Sequence, residues 1–287
     1  MNYGDKGIKQ KKKLLNSATT KLGTKLGIFF IKLALVGIIA LVVAGSCLVF
    51  GSFQGIIENA PDIASINVSP EGFATKIYDS DENEIQTLSS AGANRTYVTI
   101  DQIPKDLQHA FIAIEDERFY EHNGIDMRGI LRAASITLSS GEMSQGASTI
   151  TQQLLKNNVF NAFNESTIEK IKRKVQEQYL AIKLETVMSK DSILENYLNT
   201  INLGNGYYGV QAAARGYFNK DVSELSISEC AVIASITKSP TGLNPIRHAD
   251  RNKDRQSQVL LNMKEQEYIS QEEYDEAVSD DVYARLE

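Results

Sequence analysis

A run of 25 residues without a charge, from Leu33 to Ile57, limits what this chain can be more than any other feature. About 20 apolar residues cross the hydrocarbon core of a bilayer, so a segment of this length spans it with some tilt. A secretory signal has the same order of basic flank and apolar stretch, but its apolar part is typically only ~7–15 residues. The length favours an uncleaved anchor. Residues 1–32 hold eight lysines against one acid, Asp5, while Glu58 and Asp62 follow the run. The positive-inside bias then places the N-terminus in the cytoplasm and residues from about 58 onward outside. Beyond residue 32 the chain carries 22 basic against 35 acidic residues, which argues against a nucleic-acid partner, because neutralising phosphates needs a basic surface. With 287 residues, 42% of them hydrophobic, disorder is excluded and a sizeable core is available. Cys47 lies in the apolar run, and Cys230, beside Ala231, Val232 and Ile233, reads as a small core residue.

The outer portion divides by pattern. Residues 58–72 have the composition of a linker. Residues 74–88 alternate apolar and polar around a polar turn, which predicts a hairpin, and Tyr97 to Ile100 reads as one more strand. Helical signals dominate from Asp101. Pro104 opens a helix carrying Leu107, Phe111 and Ile114. Thr149 with Gln152, Ser166 with Glu169, Ser226 with Glu229, and Ser270 with Glu273 fit the capping-box pattern. Ile168, Ile171, Val175, Tyr179 and Ile182 predict the apolar stripe of a long helix.

Three clusters could carry chemistry, and two further segments frame them. EDERFYEHNG (115–124) packs four carboxylates and His122 at a helix end; a solvated acidic helix end explains them, and so does a general base held at a turn. Its spacing matches no zinc signature. QGASTITQQLLKN (145–157) reads as a capped helix start, or as free N–H groups and hydroxyls cradling an anion with Lys156 adding a point charge. In KIKRKVQEQYLAIKLE (170–185), Lys170, Arg173, Lys174 and Glu177 share one helical face, either a solvated salt-bridged surface or a cationic groove wall. ILENYLNTINLGNGYYGVQAAARGYF (193–218) reads as scaffold with a glycine-rich wall, and SPTGLNP (239–245) as a turn.

Taken in series, these five segments resemble the five motifs of the peptidoglycan glycosyltransferases, glycosyltransferase family 51, found in class A penicillin-binding proteins and in monofunctional transglycosylases. The resemblance runs from about Ala74 to Leu261. It implies a mainly α, lysozyme-like, two-lobed fold with a small N-terminal hairpin. It also implies that lipid II is polymerised into β-1,4-linked glycan, with inversion at the donor carbon and polyprenyl pyrophosphate as leaving group. By motif position Glu115 resembles the base that deprotonates the acceptor hydroxyl, and Glu177 the second catalytic glutamate near the donor pyrophosphate. Asp116, His122, Arg132, Ser148, Thr149, Gln152, Gln153, Lys156, Arg173, Lys174 and Asn199 become substrate-binding candidates, Arg132 on the acceptor side. Gln176 stands where some members carry Lys, a contact that Lys170, Lys172 or Lys174 could replace.

The chemistry agrees with this inventory. A carboxylate taking the proton of a weak alcohol nucleophile contributes about 10²–10⁴-fold. Pyrophosphate leaves as a stable anion, so its charge calls for Lys, Arg, helix N-termini or a divalent cation (Mg or Mn, with Glu177 the candidate ligand), and no covalent cofactor is required. The implied partners are lipid II, the growing lipid-linked glycan, the membrane and cell-wall assembly proteins. The expected organisation is a cytoplasmic basic tail (1–32), a transmembrane anchor (33–57), a linker (58–72), the glycosyltransferase domain (73–265) and a helical connector (266–287), whose likeness to bifunctional members reads the chain as a fragment. A lysozyme-like glycan-cleaving enzyme and a catalytically silent wall-assembly scaffold are the alternatives; the cationic cluster argues against cleavage. In residues 125–145, Ile125, Ile130, Leu131, Ala134 and Leu138 form an apolar face beside Arg128 and Arg132, which suits a core helix or one dipping into lipid.

Overall fold

The computed structural model describes residues 4–70, 72, 75–81, 84–88, 95–140, 146–160 and 165–287. Residues 74, 82 and 83 of the expected hairpin, residue 71 of the expected linker and the last five residues of the 125–145 segment therefore lie outside the described residues. The chain is mainly helical and divides into two compact units, residues 1–59 and 60–287.

The first unit holds α1 (Asp5–Leu15) and α2 (Ala18–Glu58). Ser17 starts α2 by accepting the Thr20 N–H through its hydroxyl. The helix begins well before the uncharged run, with Lys25 and Lys32 inside it. At 1.5 Å per residue its 41 residues extend about 60 Å, twice a hydrocarbon core of ~30 Å, with the surplus length on the lysine-bearing N-terminal side. Its large apolar side chains, Leu33, Leu41, Leu48 and Phe50 among them, are exposed, as a lipid-facing helix requires. This helix is long and apolar enough to cross a membrane.

In the second unit, β1 (Thr75–Tyr78) pairs antiparallel with β2 (Glu84–Leu88). The strand expected at Tyr97–Ile100 does not form. Asn199 takes the neighbouring strand's place: its side-chain amide accepts the Val98 N–H at 2.9 Å and donates to the Val98 carbonyl at 2.8 Å. Helices follow: α3 (Lys105–Glu115), α4 (Met127–Ser140), α5 (Ile150–Asn158), α6 (Thr167–Val187), α7 (Lys190–Thr200), α8 (Val210–Phe218), α9 (Ile227–Ser235), α10 (Ala249–Glu265) and α11 (Gln271–Ser279). Helix α9 is buried along its whole length and packs on α3, α8, α10 and α11; α5 packs on α6 and α7. Complete capping boxes close the starts of α6, α9 and α11 at Ser166, Ser226 and Ser270. Burial pushes the Cys230 thiol well above its ordinary value, leaving it a small core residue.

The stripe on α6 is not a core face: Ile168, Ile171 and Ile182 are exposed, and the buried positions are Glu177, Leu180, Ala181 and Leu184. Among the described residues nothing covers Ile168 and Ile171 in the first turns of α6. Residues 60–70 of the expected linker and the whole of the expected connector fall in the second unit. Val68 is buried, its carbonyl held by Asn158, and α11 packs on α9 and α10.

The last segment is also tied down by charge. Arg285 donates to both oxygens of Asp280 at 2.6 and 2.7 Å, and these bonds, helped by Ser228, hold the Asp280 carboxyl at about 2. A carboxyl depressed in the folded state contributes stability that is full above its unfolded value near 4 and fades as pH falls towards 2. Asp280→Asn should therefore lower the melting temperature at pH 7 and lower it progressively less between pH 4 and pH 2. A gap that stays constant down to pH 2 rejects this role.

Candidate active site

Glu115 is the last residue of α3, and the helix end is pinned from outside. Asn262 and Gln266, on and just after α10, each donate a side-chain amide to the Ala113 carbonyl at 3.1 Å. The Glu115 carboxylate faces a cavity of about 450 Å³ that is also lined by Glu117, Arg132, Gly146 and Asn262. The same cleft continues past Ala147 to Ser148.

The acidic cluster sorts itself by partner. Asp116 is buried; both its oxygens lie 3.0 Å from His122 Nε2, and one also accepts the Ile150 N–H at 2.9 Å. Glu117 meets Arg118 at 3.0 Å and Arg132 at 3.5 Å. Glu121 pairs loosely with Arg128, and Arg118 holds Asp126. Glu115 differs: Gln153 Nε2 donates to its Oε2 at 2.8 Å, and the Thr237 hydroxyl lies 2.5 Å from its Oε1. Among the described residues it forms no ion pair, although half-buried Arg255 of α10 feels its charge. Of the four acids in EDERFYEHNG, Glu115 is the one with no Arg, Lys or His side chain at ion-pair distance among the described residues.

At the Ser148 end of the cleft, Ser148 accepts from Lys174 Nζ at 3.2 Å, and Lys174 Nζ lies 2.7 Å from Glu177 Oε2. Arg173 bridges Glu177 and Glu165, donating to Glu165 through Nε at 2.8 Å. Glu177 is 0% exposed, so it holds the two cations in place and does not itself reach the cleft. This bears on a metal: Glu177 already has a cation at each oxygen, and no three His, Cys, Asp or Glu side chains converge among the described residues. This donor set does not fit a resident divalent cation.

Other expected site residues belong to the scaffold. Thr149, buried, donates to the Gly124 carbonyl at 2.8 Å and accepts the Gln152 N–H at 3.2 Å. With Asp116 on the Ile150 N–H, the start of α5 is capped from within, contrary to the expected anion cradle. Gln152 is buried and turned to the Gly124 carbonyl at 3.5 Å. Gly124 serves both because its φ is +84° and a Cβ there would stand 2.5 Å from the Ala181 backbone. His122 and Asn199 likewise spend their polar groups inside the body. Lys156 is exposed on α5. Sequence reading missed Thr237, two residues ahead of SPTGLNP, and took Tyr197 only as a helix-core residue; a lone hydroxyl at a helix exit carries no pattern.

The cleft that Glu115 lines reaches Ser148, and Lys174 touches Ser148 from outside its lining. Residues 81–264 match the transglycosylase family model. Penicillin-binding protein 1A of Escherichia coli K12 is 41% identical over 255 residues, covering 89% of this chain and 29% of that protein. Penicillin-binding protein 1F of Bacillus subtilis 168 is 45% identical over 200 residues, covering 70% of this chain and 27% of that protein. The chain belongs to the transglycosylase family. It spans less than a third of the length of these two relatives. The crystal structure of penicillin-binding protein 1A from Haemophilus influenzae aligns over 72% of this chain and 20% of its own, with 26% identity and a TM-score of 0.39.

Proposed function

We propose that this chain is a membrane-anchored peptidoglycan glycosyltransferase that polymerises lipid II, with Glu115 as its general base. One observation supports this most: among the described residues Glu115 is the acid of its cluster without an ion-pair partner, and it opens on the cleft that also reaches Ser148, which Lys174 touches. In the step, the acceptor sugar hydroxyl gives its proton to Glu115 and its oxygen forms a bond to the donor anomeric carbon from the face opposite the leaving group. The bond from that carbon to the pyrophosphate oxygen breaks, and the electron pair leaves with the pyrophosphate. The configuration inverts. Arg132, exposed on the cleft beside Glu117, suits the acceptor. Lys174 and Arg173, oriented by Glu177 and Ser148, suit the departing charge, which fixed cations stabilise without reorganising. Lys156 and the exposed Lys170 and Lys172 extend that wall. Glycan cleavage leaves such a cationic cluster without a task.

The finer architecture is proposed on the same footing: a lysozyme-like, two-lobed domain within 73–265, an anchor at 33–57, the N-terminus cytoplasmic and the cleft extracellular. The lysines before the anchor and the acids after it support that orientation. Cell-wall assembly proteins are the further partners such an enzyme would take. Supplying lipid II as sole substrate and counting products tests the reaction: each disaccharide added should release one lipid pyrophosphate, and disaccharide incorporation without that release rejects the mechanism.

Helix α4 carries a second element of this reading. Leu131 is 64% and Leu138 89% exposed, with Met127 also outward and Arg128 and Arg132 beside them, so this part of the apolar face finds no core among the described residues. An apolar face flanked by arginines suits a lipid surface. Replacing Leu131 and Leu138 by Ser in protein lacking residues 1–59, a separate compact unit, should weaken liposome binding several-fold at an unchanged melting temperature. Equal binding removes the membrane role of α4.

A further inference from the structure

Two elements far apart in sequence hold the two oxygens of Glu115. On one side stands an ordered pair: the Tyr197 hydroxyl, on α7, donates to Gln153 Oε1 at 3.2 Å, and Gln153 Nε2 donates to Glu115 Oε2 at 2.8 Å. On the other, Thr237, in the short turn of helix after α9, sets its hydroxyl 2.5 Å from Glu115 Oε1 and 3.0 Å from the Ala234 carbonyl. None of these three side chains carries charge, and Tyr197 is fully buried.

We infer that Tyr197, acting through Gln153, and Thr237 are positioning residues for Glu115. The inference rests on Glu115 being the base. A glutamine amide has a donor end and an acceptor end, and only the donor end suits a carboxylate. The Tyr197 hydroxyl fixes which end points at Glu115, because it claims the amide oxygen. Turning the amide round would set that oxygen against the carboxylate and take the acceptor from the phenol proton. Burial, and then the charges of Glu115 and Asp116, push the Tyr197 hydroxyl far above its ordinary value, so it stays a donor throughout.

Thr237 has a different task. Its hydroxyl has one proton and two acceptors in range. While Glu115 is ionised, that proton points to Oε1. Once Glu115 has taken the sugar proton, the carboxylic acid donates to the Thr237 oxygen and the hydroxyl turns to the Ala234 carbonyl. Thr237 thus serves both charge states, whereas the Gln153 N–H serves only an acceptor. The abstracted proton is directed to Oε1, and no bond to Tyr197, Gln153 or Thr237 forms or breaks. Gln153, expected from its motif to meet substrate, is here turned to the base.

The test measures kcat and KM for lipid II over a pH series in the full chain, comparing wild type with Tyr197→Phe, Thr237→Val and Thr237→Ser. Tyr197→Phe and Thr237→Val should each lower kcat roughly tenfold with KM unchanged, the loss of one hydrogen bond at an ionised group. The acidic limb of kcat/KM should move to higher pH, because a carboxylate stripped of a donor holds its proton more tightly. Thr237→Ser keeps the hydroxyl and should restore both. Wild-type turnover with the limb unmoved in both variants overturns the inference, as does a loss carried in KM with the limb in place. Should Tyr197→Phe fail to fold, the Val and Ser pair at 237 decides. Wild type that makes no polymer removes the base reading itself, and the relay with it; polymerising wild type with indifferent variants removes the relay alone.

Discussion

Glu115→Gln is expected to abolish glycan polymerisation while the protein melts at nearly the wild-type temperature. The site explains why both should hold at once. A glutamine at 115 can turn its carbonyl oxygen to Gln153 Nε2 and its amino group to the Thr237 oxygen, whose own proton then goes to the Ala234 carbonyl 3.0 Å away. Every group is satisfied, so the cost of a buried unmet donor, typically ~1–3 kcal/mol, is avoided. What is lost is the proton acceptor. General-base catalysis contributes about 10²–10⁴-fold, enough to take turnover below detection in a polymer assay. Wild-type-like turnover in Glu115→Gln, measured beside its melting curve, rejects the base. A collapse of the fold instead assigns Glu115 to the scaffold.

The second large effect concerns stability. Arg173 is 10% exposed and lies between Glu165 and Glu177, the latter wholly buried. Removing one member of a buried ion pair leaves a charge without compensation and costs about 3–5 kcal/mol. Arg173→Met should accordingly lower the melting temperature of the outer body by roughly 10 °C, since ~2–4 °C follows each kcal/mol in a body of this size. Lys174, 46% exposed, cannot replace it, because it already holds the other oxygen of Glu177. Adding Glu177→Gln to Arg173→Met should recover much of the stability, although Glu165 still lacks its partner, and should leave activity low. Thermal melts of the wild type and the two variants decide the point: no recovery in the double variant means that Arg173 is needed for packing and not for charge.

How far these features were legible in the sequence depends on their range. Local signals were readable: the uncharged run became one apolar helix, and Ser166, Ser226 and Ser270 cap helices as their spacing implies, because both partners of a cap lie within four residues. The family was readable because five segments recur in order. Less readable was where an apolar face goes. Ile168 and Ile171 have the right period but nothing covers them among the described residues, and periodicity says which face is apolar, not whether anything covers it. Polar residues misled for a related reason. Asp116, His122, Thr149, Gln152 and Asn199 have the donors and acceptors of a binding site, yet each finds its partner inside the body, and a sequence does not show which groups are already taken. The same accounting works in the other direction for Glu115. It is singled out among its neighbours only once Arg118, Arg132 and His122 are seen to have gone elsewhere. Thr237 comes from a segment 122 residues away along the chain, a pairing no spacing rule reaches.

Lipid II offered to the wild-type chain, with products separated by size and a preformed glycan run in parallel, addresses the heart of the matter. Lengthening chains from lipid II, and preformed glycan left intact, are expected of a carboxylate that activates a sugar hydroxyl near a cluster of cations. Shortened glycan would make Glu115 the acid of a cleaving enzyme, and an absence of any product would leave the cleft without the chemistry assigned to it.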